Sequence, residues 1–148
     1  MWYKHRMADL NAFKRLTNFD NLSPRESDTL QKKLLLRKKT FDLKDNLKAQ
    51  NISSEIYSCH TLKPFDYNGL RKIFKKFKLI VIIEDHSKIG GLNSIIKMSA
   101  YENRYNGQII SYSLKDEFIH CYGSQDDLLD KHNISSNKIY QNIIGKIK

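Results

Sequence analysis

The stretch Leu79-Ile80-Val81-Ile82-Ile83-Glu84-Asp85-His86-Ser87-Lys88-Ile89-Gly90-Gly91 decides how this chain folds. It opens with five consecutive aliphatic residues, most of them β-branched. Such a run reads as a strand covered on both faces, because a half-exposed strand would alternate apolar with polar. The run stops at the polar residues Glu84, Asp85 and His86. Gly90-Gly91 then opens a helix in which Leu92, Ile95, Ile96 and Ser99 share a face. A buried strand handing over to an amphipathic helix is the repeating unit of layered α/β domains.

The same alternation extends on both sides. Glu55 to Thr61 reads as a strand, Leu62-Lys63-Pro64-Phe65-Asp66 as a turn, and Asp66 to Phe77 as a helix with Leu70, Ile73, Phe74 and Phe77 on one face. Gln108 to Leu114 is a further strand. Ser124 to Lys131 and Ser135 to Ile147 are helices, each opened by a serine cap. The expected fold is a three-layer α/β/α domain with a mixed, mainly parallel sheet of four to five strands. Residues 1 to 48 lack a strand pattern. Leu10, Phe13 and Leu16 suit a short amphipathic helix, Ser23-Pro24-Arg25-Glu26 starts another that runs to about Lys33, and Phe41 to Gln50 reads as a third. The chain therefore divides into a basic helical or poorly ordered extension over 1–48 and an α/β domain over 49–148.

Composition bounds the function classes. At 148 residues, with 40% hydrophobic and 28% charged side chains, the chain suits one globular domain rather than a disordered or collagen-like polymer. The longest apolar run, Leu79 to Ile83, is far shorter than the roughly twenty residues a membrane helix needs. The start Met-Trp-Tyr-Lys-His-Arg has no apolar segment behind it, so no secretory signal is expected and the cytoplasm is the expected location. The net charge of +10 raises nucleic-acid binding as a reading. Against it, Lys outnumbers Arg 20 to 6, whereas bidentate phosphate contacts favour Arg. Residues 1–48 hold 12 basic and 6 acidic side chains, so the excess is concentrated there.

Cys59-His60 and His120-Cys121 together supply the ligand types of a structural zinc. Adjacent residues in extended backbone point to opposite faces, so each pair would splay, and no metal site is expected. In open parallel sheets ligands gather at the carboxyl ends of strands, which directs attention to Glu84, His86, Gly90 and Gly91. An acid, an imidazole and glycines before a helix N-terminus could form an anion site or an acid/base pair. They could equally cap and bridge loops while the glycines permit close packing. Neither phosphate-cradling glycine motif is present.

Taken together, Val81-Ile82-Ile83-Glu84-Asp85-His86-Ser87-Lys88-Ile89-Gly90-Gly91-Leu92, the turn Thr61-Leu62-Lys63-Pro64-Phe65-Asp66, Phe118 with Tyr122-Gly123-Ser124, and the closing helices resemble the C-terminal domain of the transketolase family. That domain is shared with deoxyxylulose-phosphate synthase and the beta subunits of 2-oxoacid dehydrogenases. The resemblance covers residues 41 to 147. It implies a C-terminal subunit or fragment of a thiamine-diphosphate-dependent ketol transferase that supports domain packing and dimerisation without being catalytic alone. Thiamine diphosphate and magnesium would sit in N-terminal domains supplied by a partner, none of which is here. Lys63, Pro64, Asp66, Glu84, His86, Gly90, Gly91 and Gly123 carry over as signature positions, structural or interdomain, with no catalytic, cofactor or metal role. The alternative is an independent module of the same fold that binds a small anion at Gly90-Gly91.

The departure from the family lies upstream. Family members enter the domain with an apolar strand ending in Thr-Gly. Here Leu34-Leu35-Leu36-Arg37-Lys38-Lys39-Thr40 stands in its place, with no glycine. The missing strand would be central, between the Glu55 strand and the Leu79 strand, and its loss would expose ladder donors on both. Either Lys33 to Thr40 fills the gap imperfectly, or the first 48 residues are a divergent extension on a truncated domain. Residues 1 to 48 are expected to be the least ordered part.

Overall fold

A computed structural model describes residues 38–147 apart from His60, Ile119 and Cys121. The helices expected around Leu10 and Pro24 lie outside the described residues. The first described element is a helix over residues 38–49, here α1. Leu43 and Leu47 sit four apart on its buried face. Asn51 ends it in the left-handed region at φ 59°, a conformation asparagine tolerates, while Ile52 N–H donates back to the Leu47 carbonyl at 3.0 Å.

The remaining elements are α2 (Tyr67–Lys76), β1 (Leu79–Ser87), α3 (Leu92–Glu102), β2 (Gln108–Leu114), α4 (Gln125–Lys131) and α5 (Ser136–Ile147). Strands β1 and β2 are parallel, with Leu79 opposite Gln108, Ile80 opposite Ile109 and Ile83 opposite Tyr112. Parallel neighbours need a crossover, and α3 supplies it. The period of two in each strand sorts side chains between two cores. Leu79, Val81, Ile83, Ile110 and Tyr112 pack against α1, α4 and α5 through Leu43, Leu47, Leu129, Ile134, Ile139 and Ile143. Ile80, Ile82 and Ile109 pack against α2 and α3 through Leu70 and Ile96. The domain is therefore three-layered, helices on both faces of a parallel sheet, as the aliphatic run required.

The strand count is a correction. Among the described residues the sheet has two strands, not four to five. The segment expected as a strand from Glu55 to Thr61 forms no ladder over its described residues. Side chains anchor it instead. The Glu55 carboxylate accepts from Lys76 Nζ at 2.6 Å and from the Tyr57 hydroxyl at 2.6 Å, and the Tyr57 ring meets Phe77 edge-on at 6.2 Å. The physical reason is that a strand needs a neighbour to take its ladder bonds, and none of the described residues supplies one. A strand between this segment and β1 would have to come from Lys33 to Thr40, yet residues 38–40 are helical and 33–37 lie outside the described residues.

Candidate functional site

β1 does not stop where its aliphatic run stops. It continues to Ser87, with an irregularity in the pairing between Ile83 and Ser87. Glu84 keeps the parity of Ile80 and Ile82, so its side chain turns under α3 and is only 7% exposed. A carboxyl group there needs hydrogen-bond donors. Its Oε1 accepts from the Ser113 hydroxyl of β2 at 2.8 Å and from the Asn93 backbone N–H at 3.3 Å. Asn93 lies in the first turn of α3, whose N-cap, Gly91, has no side chain to satisfy the free N–H groups. Glu84 thus caps α3 from the neighbouring strand, where its charge also faces the positive end of the helix dipole.

This arrangement explains both glycines. A Cβ at Gly91 would collide with the Glu84 carboxylate and stand 3.0 Å from His86 Nδ1. Gly90 has room around it but adopts φ 82°, which side chains disfavour. Its N–H donates to Ser94 Oγ at 3.0 Å, and Asn93 Nδ2 donates to the Lys88 carbonyl at 3.1 Å. The turn from strand to helix is closed on itself. His86 is exposed beside it, its Nδ1 3.1 Å from the Ser87 carbonyl oxygen.

Of the residues singled out in the sequence, Glu84, His86, Gly90 and Gly91 come together at the carboxyl end of β1. Gly123 lies on the neighbouring loop, linked to that end by Gln125 Nε2, which donates to Asp85 Oδ2 at 3.5 Å. Gly123 precedes Ser124, whose hydroxyl and the Asp127 carboxylate form a reciprocal cap on α4. Lys63, Pro64 and Asp66 work at the entrance to α2. Lys63 and Pro64 are exposed and joined by a cis peptide, and the Asp66 carboxylate accepts from Gly69 N–H at 2.9 Å. Sequence reasoning missed Ser113 and Asn93, the two partners of Glu84. Strand parity is the signal that finds Ser113: Ile82 faces Ser111, and two positions further along each strand stand Glu84 and Ser113, joined by the hydroxyl–carboxylate bond. Also missed was His132, buried at the end of α4, whose Nδ1 accepts from Lys115 N–H at 2.9 Å just beyond β2.

At this end the described polar groups bond to one another. The Asn93 N–H that would hold an anion is already bonded to Glu84, and an incoming phosphate would meet that carboxylate. Among the described residues no cluster of three or more His, Cys, Asp or Glu side chains could hold a metal ion. Among the described residues, those at this end therefore do not fit a magnesium–diphosphate group. Of the four candidate zinc ligands, His60 and Cys121 lie outside the described residues, and burial pushes the Cys59 thiol up to about 12. That is opposite to what a nucleophilic thiolate requires. No described helix is long and apolar enough to cross a membrane.

Comparison with known proteins gives the arrangement its family. Residues 37–139 match the family described as transketolase, C-terminal domain. A 1-deoxy-D-xylulose-5-phosphate synthase of Clostridium tetani is 28% identical over 106 residues, covering 72% of this chain and 17% of the relative. A chain of Methanocaldococcus jannaschii named as a transketolase C-terminal section is 33% identical over 103 residues, 69% of this chain and 31% of that one. A 1-deoxy-D-xylulose-5-phosphate synthase of Phocaeicola vulgatus is 35% identical over 89 residues, 60% of this chain and 14% of the relative. The chain thus spans less than a third of the length of these relatives. The strand, the buried acid and the glycine turn that it closes lie inside the matched segment, and the chain belongs to the transketolase C-terminal domain family.

Proposed function

We propose that this chain is the C-terminal section of a transketolase-like, thiamine-diphosphate-dependent ketol transferase, working with a partner chain that carries the remaining domains. One observation carries the reading: the family match fills most of the chain, while the chain fills only 14–31% of the relatives compared. In this reading the cofactor and its magnesium bind on the partner. Residues of this chain hold a packed domain edge, and the assembly is a cytoplasmic dimer of such pairs in carbohydrate metabolism. Lys63, Pro64, Asp66, Glu84, His86, Gly90, Gly91 and Gly123 serve as structural or interdomain positions. Residues 1–48 are a basic extension, of which α1 already shares the domain's core through Leu43 and Leu47.

The test is co-expression with a chain carrying the missing domains, scored for a stable complex and for ketol transfer in the presence of thiamine diphosphate and magnesium. The pure chain is expected to be inactive alone. Turnover by the pure chain, with cofactor and metal added, would overturn the proposal. A small-anion module at Gly90-Gly91 is the weaker reading, because Glu84 fills the place the anion would take.

A further inference from the structure

Folded chains turn large apolar side chains inward unless something else covers them. Here Ile89 is 70% exposed, Phe118 is 91% exposed and Tyr122 is fully exposed. All belong to the loops that leave the carboxyl ends of β1 and β2. Two bonds hold these loops side by side: Lys88 N–H donates to the Leu114 carbonyl at 3.1 Å, and Gln125 reaches Asp85 at 3.5 Å. Asp85, Asp116, Glu117 and Asp126 are exposed on the same segments; Lys115 pairs with Glu117 at 3.4 Å and Lys39 of α1 with Asp126, so the four acids meet three lysines when Lys88 is included. An edge with one acid in excess is unexpected on a chain whose net charge is +10.

We infer that this edge is the docking surface for the chain that carries the rest of the relatives' length. The inference rests on the proposed function and adds to it the place of contact. Exposed aromatic side chains surrounded by charge are the make-up of an interface core and rim. The occupant is argued from length and charge. The relatives compared carry more than two thirds of their length outside the segment shared with this chain. The matching surface on that partner is an apolar hollow flanked by Lys or Arg, which the exposed acids of the rim would orient during approach. A second copy of this chain, offering its basic α2 face, is the competing occupant.

The experiment uses the full chain, tagged and expressed in its native cells, cross-linked, purified and analysed by mass spectrometry. The expected result is recovery of a protein that matches the Clostridium tetani relative outside the shared segment. Phe118→Ser combined with Tyr122→Ser should lower that recovery at least tenfold. Tyr101→Ser, on α3 and 87% exposed, should leave it unchanged. Circular dichroism and melting of the purified variants check that the fold is kept. Undiminished recovery with the loop variant would overturn the docking surface and leave the proposed function standing. Recovery of the chain's own copies alone, or of no such protein by the unaltered chain, would overturn both.

Discussion

Glu84 and Ser113 face each other across the two parallel strands, the serine hydroxyl donating to the carboxylate at 2.8 Å, and the same oxygen holds the first turn of α3 through Asn93 N–H. One buried acid therefore ties β1, β2 and α3 together. Replacing it by alanine leaves a buried hydroxyl and a helix N–H without an acceptor. We expect Glu84→Ala to cost about 2–3 kcal/mol and Glu84→Gln, which keeps an acceptor, about 1 kcal/mol. Urea unfolding of the purified chain measures both. Equal losses would show that acceptor geometry is not what Glu84 contributes.

Gly91 is linked to Glu84 by space rather than by a bond. A methyl group there would strike the carboxylate, so Gly91→Ala should cost roughly 1–3 kcal/mol. Gly90→Ala should cost about 1 kcal/mol through its φ of 82° alone, since nothing stands near its Cβ position. The two differ in coupling. Combined with Glu84→Ala, the Gly91 substitution should lose much of its cost, whereas the Gly90 substitution should add to it. A double-mutant cycle in denaturant reads the difference.

How far the residues announced this fold depends on the distance over which each interaction acts. The helices around Leu70, Leu129 and Ile139 follow from apolar spacing and from caps such as Asp66 and Ser124, all local. The aliphatic run at Leu79 marks a two-sided strand by itself. The segment at Glu55 reads as a strand because alternation suits one, but a strand needs a neighbour. None of the described residues supplies it, so Tyr57 and Glu55 turn to Phe77 and Lys76 instead. The glycine turn was legible at Gly90-Gly91. Its purpose was not, because Ser113 and Asn93 reach Glu84 from elements that only the register brings together.

The division of the chain near residue 48 leads to a stability prediction. Leu47 is buried in the larger core on α1, so Leu47→Ala should cost about 2–5 kcal/mol. Lys48→Ala, one position on and exposed, should be nearly neutral. Thermal unfolding of the whole chain compares them. Loss at Leu47 as small as at Lys48 would mean that α1 is not part of the cooperative unit.

The Asp127 and Asp130 carboxylates of α4 should stay ionised to lower pH than ordinary exposed aspartates. The Ser124 hydroxyl and backbone N–H hold the Asp127 carboxyl below its ordinary value, and Lys138 does the same for Asp130. A carboxylate whose pKa is lower folded than unfolded adds stability above its unfolded pKa, about 3.9, and that stability fades as pH falls through the folded value. Titration followed by carboxyl-carbon NMR should place both aspartates below the other exposed ones. Ser124→Ala removes the first cause, so Asp127 should rise toward the ordinary value while Asp130 stays. The same substitution should cost about 1 kcal/mol at neutral pH through loss of the cap. An Asp127 midpoint that does not move in this variant would show that Ser124 is not what holds it down.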